Sequence, residues 1–427
     1  MFSLFAQLVF LLSSYPLARW VLPHIKTRKN SLILHISLGL VVCSLIFRIR
    51  IILALTMATI GYLLLDKNPY CTFVVTFFMN ISIHLLQLYN PVHRKVNTLT
   101  KMIFFKIVAT SFNLADGRSF KTKGKDFTPR QKNCYLTKKP TFYEWIAYCF
   151  TPFGANSPSF YEFRLFEYIL DVGQNERKVS EKSQSKAISC IKQCFVHFII
   201  YYSFRHYFNL SYYQSEFFLS LNIVFRILLV LFLGVIIYSR FFMLWKAVDA
   251  GLFEVGLFDI PNIEEEEFTS LSLLNLLSTS TIKDYGKAFN HTNSLFWSNY
   301  LTSRGPDSGL SPTAVKIIST IVKPTTKGLY GAYLLSPIEK KLYGVAEPFI
   351  EVIASHFSDN VFWAKYVFTQ VFMIASKSSV RFKTIYAFYY VNYVIYFFFW
   401  IAALITIIVG FVVKKIEKTK NEKEKKD

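Results

Sequence analysis

Residues Thr384–Val413 form a run of 30 with no formally charged side chain. At about 1.5 Å of rise per residue, a helix over that run outspans the roughly 30 Å hydrocarbon core of a bilayer, so it must tilt, kink or project. A helix apolar on every side is either buried inside a large protein or bathed in lipid. Comparable runs occur at Phe2–Leu22, Ser31–Phe47, Ile51–Leu65, Tyr70–Val92, Ile191–Phe208, Phe217–Ser239, Phe241–Phe258, Leu310–Leu335 and Ala346–Ser376, with a shorter piece at Met102–Ala115. So many in one chain make lipid the solvent, and they predict an all-α polytopic transmembrane bundle of about eleven spans. The 18% aromatic content, beyond what a soluble core needs, agrees.

The interruptions carry the remaining organisation. Arg48 and Arg50 divide two spans, and Asp116–Lys139 and Val172–Lys186 read as polar loops. Pro140–Asp171 is aromatic but broken by Pro152, Gly154 and Pro158, which predicts re-entrant or interfacial helices rather than one clean span. The acidic run Glu264–Glu267 reads as the solvated start of a helix, because four adjacent carboxylates point around a helix and cannot converge on a cation.

Net charge is +21, but the basic residues lie in blocks between apolar runs, which excludes an aromatic-interleaved nucleic-acid face and suits loops beside anionic lipid. Lys26, Arg28 and Lys29 place the loop after the first span in the cytosol and the N-terminus in the lumen. The first run lacks a basic lead and a small-residue cleavage site, so it reads as a retained helix. Residues 1–413 read as one membrane domain and 414–427, KKIEKTKNEKEKKD, as a disordered, basic cytosolic tail. Lys423 and Lys425 fall in the K-x-K-x-x arrangement that retrieval to the endoplasmic reticulum reads. No repeat of broken helices between the two halves appears, and Asp66, Arg226, Asp249 and Lys316 form no paired relay, which disfavours a transporter. Cys190 and Cys194, one helical turn apart, read as packing; no His or carboxylate joins them at ligand spacing, so no metal site is expected.

Several stretches are similar, in order and spacing, to the membrane-bound O-acyltransferase family. Pro140–Asp171 resembles its aromatic helix and Gly-Pro-Phe hairpin through Pro140, Glu144, Tyr148, Gly154, Pro158, Phe160 and Phe163, with Ser157 where glycine is usual. RFFMLWKAVDAGLFEVGLF resembles its Arg- and Trp-bearing helix through Arg240, Trp245, Ala250 and Gly251. FNHTNSLFWSNYL resembles its Asn motif through Asn290, Thr292, Trp297 and Tyr300, and KPTTKGLYGAY its histidine helix through Gly328 and Tyr333. The wording around Gly328 and SPIEKKLYGVAE is most similar to the lysophosphatidylinositol branch.

The resemblance implies acyl transfer from acyl-CoA, as co-substrate and with no other cofactor, to the hydroxyl of a lysophospholipid. It assigns Asn290 as the polar partner of the thioester, and Arg240, Trp245, Tyr300 and Tyr333 to substrate binding. Lys327, 37 residues after Asn290, stands where the family has its histidine base. An unperturbed lysine has a pKa of about 10.4, so only roughly one in a thousand is free amine at neutral pH. The alternative expectation is therefore a catalytically inactive relative that binds lipid or regulates. Of the other histidines, His291 adjoins Asn290 but points about 100° away on a helix. His356 reads as an interfacial hydrogen-bonding group, and His84 and His197 as buried groups satisfied by neighbouring helices.

Overall fold

The computed structural model of the chain describes residues 2–89, 96–123, 127–155, 157, 159–174, 179–205, 210–265, 268–269, 276, 278–289, 291–326, 331–356, 361–380, 392–393, 395 and 397–424. Among these every regular element is helical. The principal helices are α1 (Phe2–Leu12), α2 (Arg28–Phe47), α3 (Ile51–Leu64), α4 (Pro69–Tyr89), α5 (Asn97–Lys123), α6 (Pro129–Cys134), α7 (Phe142–Phe150) and α8 (Phe163–Leu170). They continue with α9 (Glu181–Phe204), α10 (Ile223–Glu254), α11 (Ile282–Ala288), α12 (His291–Trp297), α13 (Pro312–Thr325), α14 (Gly331–Ala354), α15 (Val361–Val380) and α16 (Phe398–Glu424). Six stretches among the described residues are long and apolar enough to cross a membrane: Leu4–His24, Arg28–Leu64, Pro69–Leu86, Glu181–Phe204, Ile223–Glu254 and Phe398–Ile416.

Local chemistry sets the boundaries. A three-residue turn, Arg48–Arg50, splits the Arg28–Leu64 stretch, with Arg48 at φ 54°. Thr27 caps α2 and Ser311 caps α13, each side-chain oxygen accepting a backbone N–H of the first turn. Thr128 with Gln131, and Thr141 with Glu144, form reciprocal capping boxes that start α6 and α7.

Three expectations are corrected. The polar loop expected from Asp116 is helical to Lys123, because its lysines and arginine are good helix formers and the stretch holds no proline to remove a backbone donor. Ser239 and Arg240 do not divide two spans but lie within the continuous α10, where nothing removes a backbone donor. The charged tail is helical to Glu424, since Lys and Glu are good helix formers and continue an existing helix. Of the acidic run, Glu265 begins a helical turn, its carbonyl accepting from the Thr269 N–H at 3.0 Å, and its carboxylate pairs with Lys186, while Glu266 and Glu267 lie outside the described residues.

The chain forms two compact units. The first comprises Met1–His197, Phe242–Leu271 and Asn290–Leu329; the second comprises Phe198–Phe241, Ser272–Phe289 and Tyr330–Asp427. In the first, α3 lies against α5 so closely that a Cβ on Gly61 would stand 2.3 Å from Ile107 Cδ1. The indole of the fully buried Trp145 donates to the Ala58 carbonyl at 2.8 Å. An aromatic core stacks Phe105 on Phe296 at 3.8 Å, with Phe160 edge-on. In the second unit α14 packs on α15 and α16, where Trp400 and Tyr343 both donate to Glu339 Oε1.

Candidate functional site

The first unit gathers the stretch around Pro140–Asp171 from three sides. Arg28, at the start of α2, holds Glu144 at 2.7 Å and both oxygens of Asp171 at 2.8 and 2.9 Å, so one guanidinium ties the two ends of the stretch. Burial pushes the Glu144 carboxyl up, but the Thr141 backbone N–H and Arg28 outweigh it and hold Glu144 below the ordinary carboxylate value. Between α7 and α8 the backbone reverses at Gly154, whose φ of +147° suits only glycine and brings it to the Tyr161 ring. The Phe160 N–H then donates to Thr292 Oγ1 of α12 at 3.2 Å.

Two residues further on, Glu162 is 1% exposed and lies at the centre of a polar network. Tyr300 Oη donates to Glu162 Oε1 at 2.8 Å, Arg130 donates to the same oxygen at 3.0 Å, and Asn113 donates to Oε2 at 3.0 Å. The capping box at Thr128 aims Arg130, and the helical turn after α12 aims Tyr300. Burial lowers the Arg130 pKa, but Glu162 more than restores it, so the guanidinium stays charged.

This network forms one wall of a cavity of about 580 Å³, also lined by Asn133, His291, Asn299 and Arg304. Arg304 binds the Asp116 carboxylate at 2.7 Å, and its carbonyl accepts from Tyr70 Oη at 3.0 Å. The two arginines of the cavity are thus each neutralised by a carboxylate, and Glu264 and Asp307 add negative lining. The opening suits hydrogen-bonding groups more than a strongly anionic ligand.

Of the residues expected from sequence, Tyr300 is in this network. Trp245 is buried in the first unit on α10, where Ser14 Oγ reaches the Ala247 carbonyl at 3.3 Å and a Cβ on Gly251 would stand 2.2 Å from Ser14 Oγ. Arg240, half-buried, and Tyr333, on α14, belong to the second unit. Asn290 and Lys327 lie outside the described residues; their neighbours His291 and Thr326 line the cavity and lie fully buried, respectively. Asn113, Arg130 and Glu162 were not anticipated, although a lone carboxylate in the aromatic run SFYEFRLF is a signal that would have found Glu162. Cys190 and Cys194 are buried free thiols, and no group of three metal-ligating side chains converges among the described residues. Compared with known proteins, the chain matches no family model and no curated protein sequence.

Proposed function

We propose that this protein is a divergent relative of the membrane-bound O-acyltransferases, a bundle of about eleven spans in the endoplasmic reticulum that transfers a fatty acyl group from acyl-CoA to a lysophospholipid hydroxyl. What supports this reading is that two stretches carrying the resemblance, more than a hundred residues apart, are bonded to each other through Phe160 to Thr292 and Glu162 to Tyr300. In this reading Asn290 orients the thioester, and Trp245 and Tyr300, both of the first unit, line the path of the substrates.

The reaction needs a group that accepts the hydroxyl proton and a donor that steadies the forming oxyanion. The lysine at 327 favours a second reading, an inactive relative that retains lipid binding, because an ammonium is a poor proton acceptor.

Membranes from cells lacking their own acyltransferases, loaded with this protein, decide between them. The first reading expects labelled acyl-CoA and lysophosphatidylinositol to yield phospholipid, with loss of product in Asn290→Ala. Undiminished product in that variant removes Asn290 from the mechanism. Absent product with retained lysolipid binding, together with product in Lys327→His, establishes the second.

A further inference from the structure

The first unit holds a second cavity, of about 530 Å³, where the end of the first helical segment meets the end of α10. Arg19, Trp20, Gln184 and Glu254 line it, with Val172 and Val179 among its apolar members. Two of the membrane-length stretches stop here: Leu4–His24 ends five residues past Arg19, and Ile223–Glu254 ends on Glu254 itself. The cavity therefore lies at the edge of the hydrocarbon layer, the depth of lipid phosphates and head groups. Trp20, 63% exposed, is the kind of amphipathic anchor that this depth favours.

Its charges are unbalanced at one atom. Glu254 is 5% exposed and closes α10, so its carboxylate stands at the negative end of a 32-residue helix dipole and calls for cations. Arg19 supplies one through Nη1, which is 3.1 Å from Glu254 Oε1 and also donates to Tyr15 Oη at 3.3 Å. Glu254 Oε2 is buried with no hydrogen-bond partner among the described residues. A charged oxygen is seldom left so, because it has given up its water for nothing in return. The Arg19 side chain is 36% exposed, so its remaining N–H groups are open to a ligand.

The chemistry that completes the cavity is a pair of charges: an ammonium with N–H donors for Glu254 Oε2, and an anionic acceptor for the guanidinium. A head group in which a primary ammonium follows a phosphate, as in phosphatidylethanolamine, carries both at the depth where the cavity lies. Laid antiparallel to the Arg19–Glu254 pair, it sets phosphate beside guanidinium and ammonium beside carboxylate. A choline head group presents only methyl groups and has no N–H for the orphaned oxygen. A serine head group adds a carboxylate for which the lining supplies no further cation.

We propose that this cavity is a binding site for a primary-amine phospholipid of the bilayer, seated with its ammonium on Glu254 and its phosphate on Arg19. It shares no lining residue with the cavity beside Glu162, and it stands whether or not the chain transfers acyl groups.

The test titrates the full-length protein in detergent with phosphatidylethanolamine, phosphatidylcholine and phosphatidylserine of the same acyl chains, and reads bound lipid by native mass spectrometry. Phosphatidylethanolamine is expected to bind at least about tenfold more tightly than phosphatidylcholine, and phosphatidylserine more weakly than phosphatidylethanolamine. Glu254→Gln is expected to bring the ethanolamine-to-choline ratio to about one. Arg19→Gln is expected to weaken both lipids and keep the preference, because the phosphate is common to them. Each ratio is taken within one variant, so a loss of folded protein cancels from it. Soluble phosphoethanolamine in large excess is expected to leave the lipid in place. Equal affinity for the ethanolamine and choline lipids in the unmutated protein, an unchanged ratio in Glu254→Gln, tighter binding of phosphatidylserine, or displacement by phosphoethanolamine overturns the assignment.

Discussion

Tyr300 and Glu162, 138 residues apart, share a hydrogen bond of 2.8 Å, and Arg130 binds the same carboxylate oxygen. Removing Glu162 leaves a guanidinium in a half-closed wall with no counter-charge, a loss that costs about 3–5 kcal/mol in buried pairs. Glu162→Ala should therefore unfold well below the unmutated protein in detergent thermal melts. Tyr300→Phe removes one donor and keeps two, so it should cost only about 1 kcal/mol.

The seam between α10 and the first helical segment has no room at Gly251. A methyl there would stand 2.2 Å from Ser14 Oγ and 2.6 Å from its Cβ. Gly251→Ala should destabilise by about 1–3 kcal/mol, and Ser14→Gly in the same chain should recover part of that loss. A double-mutant cycle on thermal midpoints reads the coupling.

The Phe160 N–H has its partner in Thr292 Oγ1, and both residues are almost fully buried. Thr292→Val keeps the shape and deletes the acceptor, so it should cost about 1–3 kcal/mol, more than a typical hydrogen bond is worth, because a buried donor is left behind. Thermal midpoints of Thr292→Val and Thr292→Ser, which keeps the hydroxyl, separate the bond from the methyl group.

Acid should loosen the grip of Arg28 on the Pro140–Asp171 stretch. Glu144 titrates below its ordinary value of 4.5 in the folded chain, so its contribution is complete above that value and disappears as pH falls through the folded one. Glu167, which burial holds above the ordinary value, contributes in the opposite sense and fades as pH rises. Thermal midpoints measured from pH 6 down to about pH 3 should fall, and Glu144→Gln should remove part of the slope.

The membrane character and most helix positions were legible because apolar runs of spanning length have few other uses, and Arg48 and Arg50 marked a true break. Where helices ran on, through Lys123 and out to Glu424, polarity was mistaken for irregularity; continuity with an existing helix outweighs charge. The capping boxes are legible in the sequence as Thr128 with Gln131 and Thr141 with Glu144, each pair three residues apart. The network around Glu162 was not, since nothing periodic in a sequence encodes a contact across 138 residues. The same holds for His84, whose hydrogen-bond partner Thr326 follows directly on the end of α13.

The brevity of α3 has a consequence of its own. Its 14 residues rise only about 21 Å, well short of an ordinary hydrocarbon layer. Alone it is too short to cross, and the stretch long enough to do so is Arg28–Leu64 as a whole, broken at Arg48–Arg50. What holds so short a helix is its glycine face, where a side chain at residue 61 has no room beside Ile107.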